Sequence, residues 1–183
     1  MADVFLLVDH EGGKVAKTAS ELATFAKRAG SPIAIILSGN AGLDALSTQL
    51  AGTEIEKIIA VESDDFASHG IPAMVDALAQ LAETRKPSAV LVASSARGKE
   101  IAGRLAVRLN SGIITDAIDV AADLGTTQSV FGGSFTVSSK ISRGIPIITV
   151  RPSAIEGATT SNSPTVEKVN LSISDRAKLV KIS

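Results

Sequence analysis

Residues 89–109, AVLVASSARGKEIAGRLAVRL, decide the fold of this chain, because they join a strand pattern to a helix pattern across a short polar loop. Ala89 to Ala93 is a continuous apolar run, which is typical of a strand covered on both faces. Apolar residues then recur at helical spacing, and charged residues occupy the opposite face at i,i+4 spacing. The apolar set is Ile101, Leu105 and Leu109, and the charged set is Glu100, Arg104 and Arg108. The segment therefore predicts one βα unit.

Three earlier apolar runs have the same character, and a helical pattern follows each of them. The runs are Val4 to Val8, Pro32 to Leu37 and Lys57 to Val61. The first helical face consists of Leu22, Phe25, Ala26 and Ala29, and Gly30 follows as a stop. The second consists of Leu43, Leu46 and Leu50. The third consists of Met74, Leu78, Leu81 and Ala82, and its helix begins near Pro72. Four βα units in a row predict a doubly wound parallel sheet.

The pattern changes after about Ser111, where β-like segments follow one another closely. These segments are Asp116 to Ala121, Gln128 to Phe131, Phe135 to Ser139 and Ile145 to Val150. With glycines between them, they predict extra strands at the sheet edge, some of them antiparallel. Glu156 to Pro164 is predicted to be a loop or linker, and Thr165 to Ile173 one more edge strand.

Composition narrows the functional classes. The 183 residues suit one domain, and a net charge of -1 does not favour nucleic acid or an anionic membrane as a partner. The absence of cysteine excludes thiol chemistry, and two histidines argue against a zinc site. With no signal peptide pattern and no run near the roughly 18 apolar residues of a membrane span, we expect a cytoplasmic protein.

The loop after the fourth run is a candidate anion loop. In doubly wound sheets ligands bind beyond the carboxyl ends of the strands, and small residues before a helix let backbone N–H groups approach a phosphate. The candidate residues are Ser94, Ser95, Arg97, Gly98 and Lys99. The alternative is that Ser94 or Ser95 caps the helix while the basic side chains remain in water.

Carboxylates follow the other runs and argue against phosphate binding. They are Asp9, before His10, and Glu62, Asp64 and Asp65, whereas Ser38, Gly39 and Asn40 follow the second run. Each like charge a few ångströms from a phosphate costs on the order of 1 kcal/mol. Neither a Walker pattern nor a GxGxxG pattern accompanies the loop. We therefore expect AMP and ATP to bind weakly or not at all.

A glycine-rich turn separates two of the five phenylalanines. Gly132 and Gly133 lie between Phe131 and Phe135, in TQSVFGGSFTVSSK. Aromatic residues on both sides of a turn belong either to the core or to an exposed surface for a partner. The sequence leaves both alternatives open, and the candidate interface residues are Phe131, Gly132, Gly133 and Phe135.

Three segments resemble the N-terminal domain of the alpha subunit of an electron-transfer flavoprotein of the actinobacterial type. They are VFLLVDHEGGKVAKTASELATFAKR, AVLVASSARGKEIAGRLAVRLNSGIITDAIDV and TQSVFGGSFTVSSKISRGIPIITVRP, and the similarity extends over essentially all residues. The resemblance implies a Rossmann-like three-layer α/β/α fold with added antiparallel edge strands, of the topology shared by adenine-nucleotide-binding and universal stress proteins. It also implies a heterodimer with a beta subunit.

In function, the resemblance implies an electron carrier and not an enzyme. Electrons pass from flavoprotein dehydrogenases, such as acyl-CoA dehydrogenases, to a membrane quinone oxidoreductase and the respiratory chain. FAD is held by a C-terminal domain whose glycine-rich motif, I-S-G-A-x-Q-H, does not occur in this sequence. We therefore expect residues 1–183 to form a single N-terminal domain that lacks the FAD domain, binds no cofactor and serves assembly. The alternative is a stand-alone nucleotide-binding regulatory domain of the universal-stress-protein type.

Overall fold

The structure is a computed structural model that describes residues 2–39 and 42–178. Its strands are β1 (Asp3–Leu7), β2 (His10–Glu11), β3 (Lys14–Val15), β4 (Ser31–Ser38), β5 (Lys57–Glu62), β6 (Ala89–Ala93), β7 (Ile113–Val120), β8 (Thr126–Val130), β9 (Phe135–Ser139), β10 (Ile147–Val150) and β11 (Thr165–Val169). Its helices are α1 (Thr18–Ala29), α2 (Leu43–Thr48), α3 (Asp65–His69), α4 (Ile71–Arg85) and α5 (Ala96–Arg108), with 3₁₀ turns at Phe131–Gly133 and Asp175–Lys178. The four predicted βα units are all present.

Nine strands form one mixed sheet in the order β11-β5-β4-β1-β6-β10-β7-β8-β9, and β2 pairs with β3 in a separate hairpin. The pairs from β11 to β7 are parallel, whereas β8 is antiparallel to both β7 and β9. The predicted fold class, a mainly parallel sheet with antiparallel edge strands, is confirmed. The predicted edge position of β11 is also confirmed.

The expectation that every late strand joins the sheet edge is wrong for β10. This strand lies between β6 and β7 and pairs in parallel with both, with Ile147 opposite Val90 and Ile148 opposite Ile114. All four of its residues are buried. A strand that is apolar on both faces is stabilised where helices cover both sides of the sheet, which holds only in the interior.

Helices cover both faces of the sheet and create two cores. Side chains alternate along β1, so that Phe5 and Leu7 face one core while Val4, Leu6 and Val8 face the other. The first core contains residues of α3, α4 and α5, and the second contains residues of α1 and α2. The result is the three-layer α/β/α arrangement that the resemblance implies.

The strand order reverses direction between β1 and β6. From β1 the chain adds β4 and then β5 on one side, and it returns to place β6 on the other side of β1. Ligand sites of doubly wound sheets lie at such a switch point, beyond the carboxyl ends of the two strands. The residues after β1 and β6 therefore mark the first place to look for a site.

The segment between β10 and β11 carries the chain from the sheet interior to the far edge. It contains the predicted loop Glu156 to Pro164, which forms no regular element. It is nevertheless fixed to α1, because Ser153 N donates to the buried Glu21 carboxylate at 2.9 Å and Ala158 N donates to Thr24 Oγ1 at 2.9 Å. These bonds make it an anchored crossover within the fold.

Candidate functional site

A crevice opens at the switch point between β1 and β6. Its volume is about 510 Å³, and its lining is Asp9, His10, Glu11, Lys14, Val15, Ala16 and Arg97; we call it the switch-point crevice. The β2–β3 hairpin forms one wall and turns at Gly12 and Gly13, both of which have positive φ. His10 is half-buried rather than a plain surface residue, since its Nε2 lies 2.9 Å from the Leu37 carbonyl oxygen.

The candidate anion loop forms the other side of this crevice, and its polar groups serve the helix. Ser95 caps α5, because its hydroxyl oxygen accepts from Gly98 N at 2.9 Å. A Cβ at residue 98 would collide with the Ala93 carbonyl oxygen, so Gly98 is required for the close approach of α5 to β6. Ser94 is engaged as well, since Thr149 Oγ1 donates to its hydroxyl at 3.1 Å. Of the two interpretations of the loop, helix capping is the one that the geometry of Ser95 shows.

The two basic side chains of the loop meet carboxylates of the same chain. Arg97 Nη1 lies 3.8 Å from Asp9 Oδ1, and its Nη2 donates to Met74 Sδ at 3.0 Å. Lys99 Nζ lies 4.0 Å from Asp116 Oδ1. Both cations are partly exposed, so each pair contributes little to stability. These contacts place one carboxylate beside each basic side chain of the loop.

The predicted acidic rim does not gather around this loop. Asp9 alone of the four carboxylates contacts the crevice, because β4 and β1 separate the end of β5 from the end of β6. Asp65 instead pairs with Lys178 at 3.1 Å and with His69 at 3.5 Å. Sequence reasoning missed a further carboxylate beside this loop, that of Asp116 on β7. Asn40, which follows the second apolar run, lies outside the described residues.

Asp116 occupies an unusual backbone conformation and carries several contacts. Its φ is +62, in the left-handed region, and its N–H donates to Thr149 Oγ1 at 2.9 Å. Its Oδ2 accepts from Arg151 Nη2 at 2.6 Å and from Arg151 Nε at 3.1 Å. The Arg151 hydrogen bonds are the main cause that lowers the pKa of Asp116, aided by Ser94 and Lys99. The position gives no local sequence pattern, because its partner is 35 residues away.

The glycine-rich hairpin joins β8 to β9 at the antiparallel edge of the sheet. Phe131 is 81% exposed and Phe135 is 62% exposed, with ring centroids 5.9 Å apart in an edge-to-face arrangement. Gly132 and Gly133 have positive φ, as a tight turn requires. Val137 on β9 is 40% exposed. We call Phe131, Phe135 and Val137 the hairpin surface. Of the two alternatives, the structure places both phenylalanines outside the core.

The described residues, 2–39 and 42–178, offer neither a metal-binding group nor a membrane-spanning helix. Within these ranges, no group of three or more His, Asp or Glu side chains could hold a metal ion. Among the helices of the same ranges, none is long and apolar enough to cross a membrane.

This fold defines a three-layer α/β protein with an antiparallel extension of its sheet. The Electron transfer flavoprotein domain family matches residues 4–174, and the chain belongs to this family. It is 41% identical over 156 residues to the electron transfer flavoprotein subunit alpha of Mycobacterium tuberculosis strain H37Rv, and 42% identical over 157 residues to that of Mycobacterium leprae. The resemblance to alpha subunits of the actinobacterial type is confirmed.

A more distant relative extends the same match. The subunit alpha of Syntrophomonas wolfei is 31% identical over 172 residues, which is 92% of this chain and 54% of the relative. The two mycobacterial matches each cover 85% of this chain and 49% of the relative. The chain thus spans about half the length of the curated relatives it matches.

Proposed function

We propose that residues 1–183 form the N-terminal domain of the alpha subunit of a heterodimeric electron-transfer flavoprotein, and that this domain serves assembly with the beta subunit. The intact protein is an electron carrier that binds FAD through a C-terminal domain. It takes electrons from flavoprotein dehydrogenases, such as acyl-CoA dehydrogenases, and delivers them to the respiratory chain through a membrane quinone oxidoreductase. The observation that carries the assembly role is the exposed pair Phe131 and Phe135.

The hairpin surface has the composition of an interface centre. Aromatic residues are enriched in interface cores, and a phenylalanine that becomes fully buried on binding gains roughly 1.5–3 kcal/mol. This chain holds five phenylalanines, and the two at the turn are the two that are largely exposed among the described residues. Leaving both in water is costly in a monomer, whereas a partner that covers them recovers that free energy.

The strand beside this surface supports the same role. β9 is an edge of the nine-stranded sheet, and its residues, FTVSS, carry no charge. The opposite edge, β11, carries Glu167 and Lys168. Charged residues on an edge strand oppose pairing with another chain, and an uncharged edge permits it. The β9 edge is therefore the edge suited to a partner subunit.

A nucleotide-binding role is the second candidate, and the switch-point crevice is the observation that favours it. Its position matches that of ligand sites in doubly wound sheets. Against it, Arg97 and Lys99 face Asp9 and Asp116, and Gly98 N donates to Ser95. An incoming phosphate would have to compete with these carboxylates, so the assembly role is better supported.

The test is binding of Phe131→Ala and Phe135→Ala to the beta subunit, measured by calorimetry and co-purification beside thermal melting. Truncation of an interface anchor is expected to cost on the order of 2 kcal/mol of binding while leaving the fold intact. Val107→Ala is the matched control, because Val107 is 83% exposed on α5, outside the hairpin surface. Unchanged binding with a large loss of stability for both phenylalanine variants would overturn the proposal.

The flavin part of the proposal has a separate test. The purified chain is expected to be colourless, because the sequence lacks the family's flavin motif and contains neither Trp nor Tyr to stack on the ring. Absorbance in the visible flavin band, recorded after incubation with FAD and gel filtration, checks this directly. A stoichiometric flavin peak on the chain alone would refute the view that this domain does not hold the cofactor.

A further inference from the structure

β7 contains a bulge at Thr115 and Asp116, close to the strands that carry the hairpin surface. β10 pairs Ile148 with Ile114 and Val150 with Ala117, so two residues of β7, Thr115 and Asp116, face the single residue Thr149. Such an extra residue disrupts the ladder locally and redirects a side chain. Here it places Asp116 at positive φ, a conformation that an L-residue seldom adopts and that persists when surrounding contacts hold it.

The bulge also shortens the ladder that supports the hairpin. β7 and β8 pair from Val120–Thr126 to Ala117–Gln128, with an irregularity between these pairs. Ser129 lies one residue beyond the last pair, and Phe131 follows two residues later. Gln128 Nε2 donates to the Thr115 carbonyl at 2.7 Å. Ser129 and Val130, the last two residues before the turn, therefore pair with β9 but not with β7.

Arg151 supplies the connection at this point. It follows β10 directly, and its Nη2 donates both to Asp116 Oδ2 at 2.6 Å and to the Ser129 carbonyl oxygen at 3.1 Å. Its own backbone N donates to the Ala117 carbonyl at 2.8 Å. One guanidinium thus links the end of β10, the bulge of β7 and the base of the hairpin tip. Arg151 also gives a second donor, Nε, to Asp116 Oδ2, and a lysine ammonium has no counterpart of this atom.

We propose that Arg151 and Asp116 are positioning residues for partner docking: Arg151, oriented by Asp116, bridges to Ser129 where the β7–β8 ladder ends and holds the hairpin surface in the orientation that the partner binds. This inference rests on the proposed assembly function. It adds to that function the residues that preorganise the surface, since a rigid surface loses less conformational entropy on binding.

The experiment compares Arg151→Met, which removes the donors, with Arg28→Met. Arg28 is a matched control because it pairs with Asp119 of the same strand at 2.7 Å, donates to the Val120 carbonyl at 3.4 Å and has similar exposure. Hydrogen exchange of residues 126–139 is measured in the chain alone. Arg151→Met is expected to speed exchange there on the order of tenfold, because a charge-assisted hydrogen bond is lost, whereas Arg28→Met leaves it unchanged.

Arg151→Lys tests rescue by a conservative change. Its single ammonium has donors for both Asp116 Oδ2 and the Ser129 carbonyl oxygen, as Arg151 Nη2 has, so it is expected to recover part of the exchange protection that Arg151→Met loses. If lysine restores thermal stability and leaves hairpin exchange as fast as in Arg151→Met, the bridge has no positioning role and the inference fails. Asp116→Asn, which keeps the size and the backbone bond to Thr149, replaces Arg151→Met should that variant not fold, and it is expected to speed hairpin exchange in the same direction.

Affinity for the beta subunit is then measured for the same variants. Arg151→Met is expected to weaken binding about tenfold, and Arg28→Met to leave it unchanged. Unchanged hairpin exchange overturns the inference without reference to any partner. If Arg151→Met speeds exchange but leaves affinity unchanged, while Phe135→Ala weakens binding, the inference is also overturned. If Phe135→Ala also leaves affinity unchanged, the proposed docking function is the one that fails.

Discussion

The switch-point crevice and the hairpin surface differ in how their groups are satisfied. In the crevice, Gly98 N at the start of α5 donates to Ser95, and Arg97 lies beside Asp9, so these groups have partners within the chain. In the hairpin, the rings of Phe131 and Phe135 contact each other and are otherwise largely exposed to water. A region whose groups are satisfied internally has little left to offer a ligand. A region that leaves apolar area exposed gains free energy when a partner covers it.

The largest expected effect comes from a substitution in the candidate anion loop, and it tests whether this loop serves the packing of α5 against β6. Gly98→Ala is expected to destabilise the chain by about 3 kcal/mol, because its Cβ would overlap the Ala93 carbonyl oxygen and separate α5 from β6. Urea unfolding followed by circular dichroism measures the change. Gly103→Ala in the same helix is the control, since nothing lies within 4 Å of its Cβ, and it is expected to stabilise by roughly 0.5–1 kcal/mol. A harmless Gly98→Ala would contradict the packing role.

A smaller effect is expected within the hairpin itself. Phe131→Ala and Phe135→Ala each remove the edge-to-face contact, which contributes about 0.5–1.5 kcal/mol to stability. Because the contact is lost with either ring, the double variant is expected to be little worse than each single variant. A double-mutant cycle in urea measures the coupling. If each variant instead lost about 3–5 kcal/mol of the free energy of unfolding, both phenylalanines would be core residues, and the hairpin would offer no exposed aromatic surface to a partner.

The Asp116–Arg151 pair predicts a modest dependence of stability on pH. The hydrogen bonds from Arg151 hold the pKa of Asp116 below its usual value in the folded state. The contribution of Asp116 is therefore fully present above its unfolded pKa of about 4, and it is lost as pH falls through the folded pKa. The free energy of unfolding is expected to decrease more for wild type than for Asp116→Asn between roughly pH 6 and pH 3. Parallel curves would show that the pair contributes nothing.

The smallest effects are expected in the crevice. Arg97→Ala and Lys99→Ala each break a partly exposed ion pair, so the free energy of unfolding should change by about 0.5 kcal/mol or less. Calorimetric titration of wild type with AMP and ATP is expected to show weak binding or none. A dissociation constant in the low micromolar range, about −8 kcal/mol, that is lost in Lys99→Ala would favour the nucleotide-binding role.

Several features of the candidate sites could be predicted from the sequence, because they depend on residues that are close together in the chain. Ser95 before an amphipathic helix predicts a cap, and paired glycines between β-like segments predict a hairpin. The prediction could not choose between core and surface for Phe131 and Phe135, because exposure depends on which strands lie beside the hairpin. Asp116 and Arg151 were missed for a related reason, since neither residue makes a pattern with its near neighbours.

The sequence by itself determined the βα order, the apolar faces of the helices and the turn positions, because periodicity and turn chemistry act over a few residues. Only the tertiary structure decided the sheet order, which inserts β10 between β6 and β7 and places β11 at the far edge. It also decided that Asp9 lies beside Arg97, that Asp65 lies beside Lys178, and that one guanidinium connects β7, β8 and β10. These contacts join residues far apart in the chain, and their free energy arises only when packing of the whole sheet brings them together.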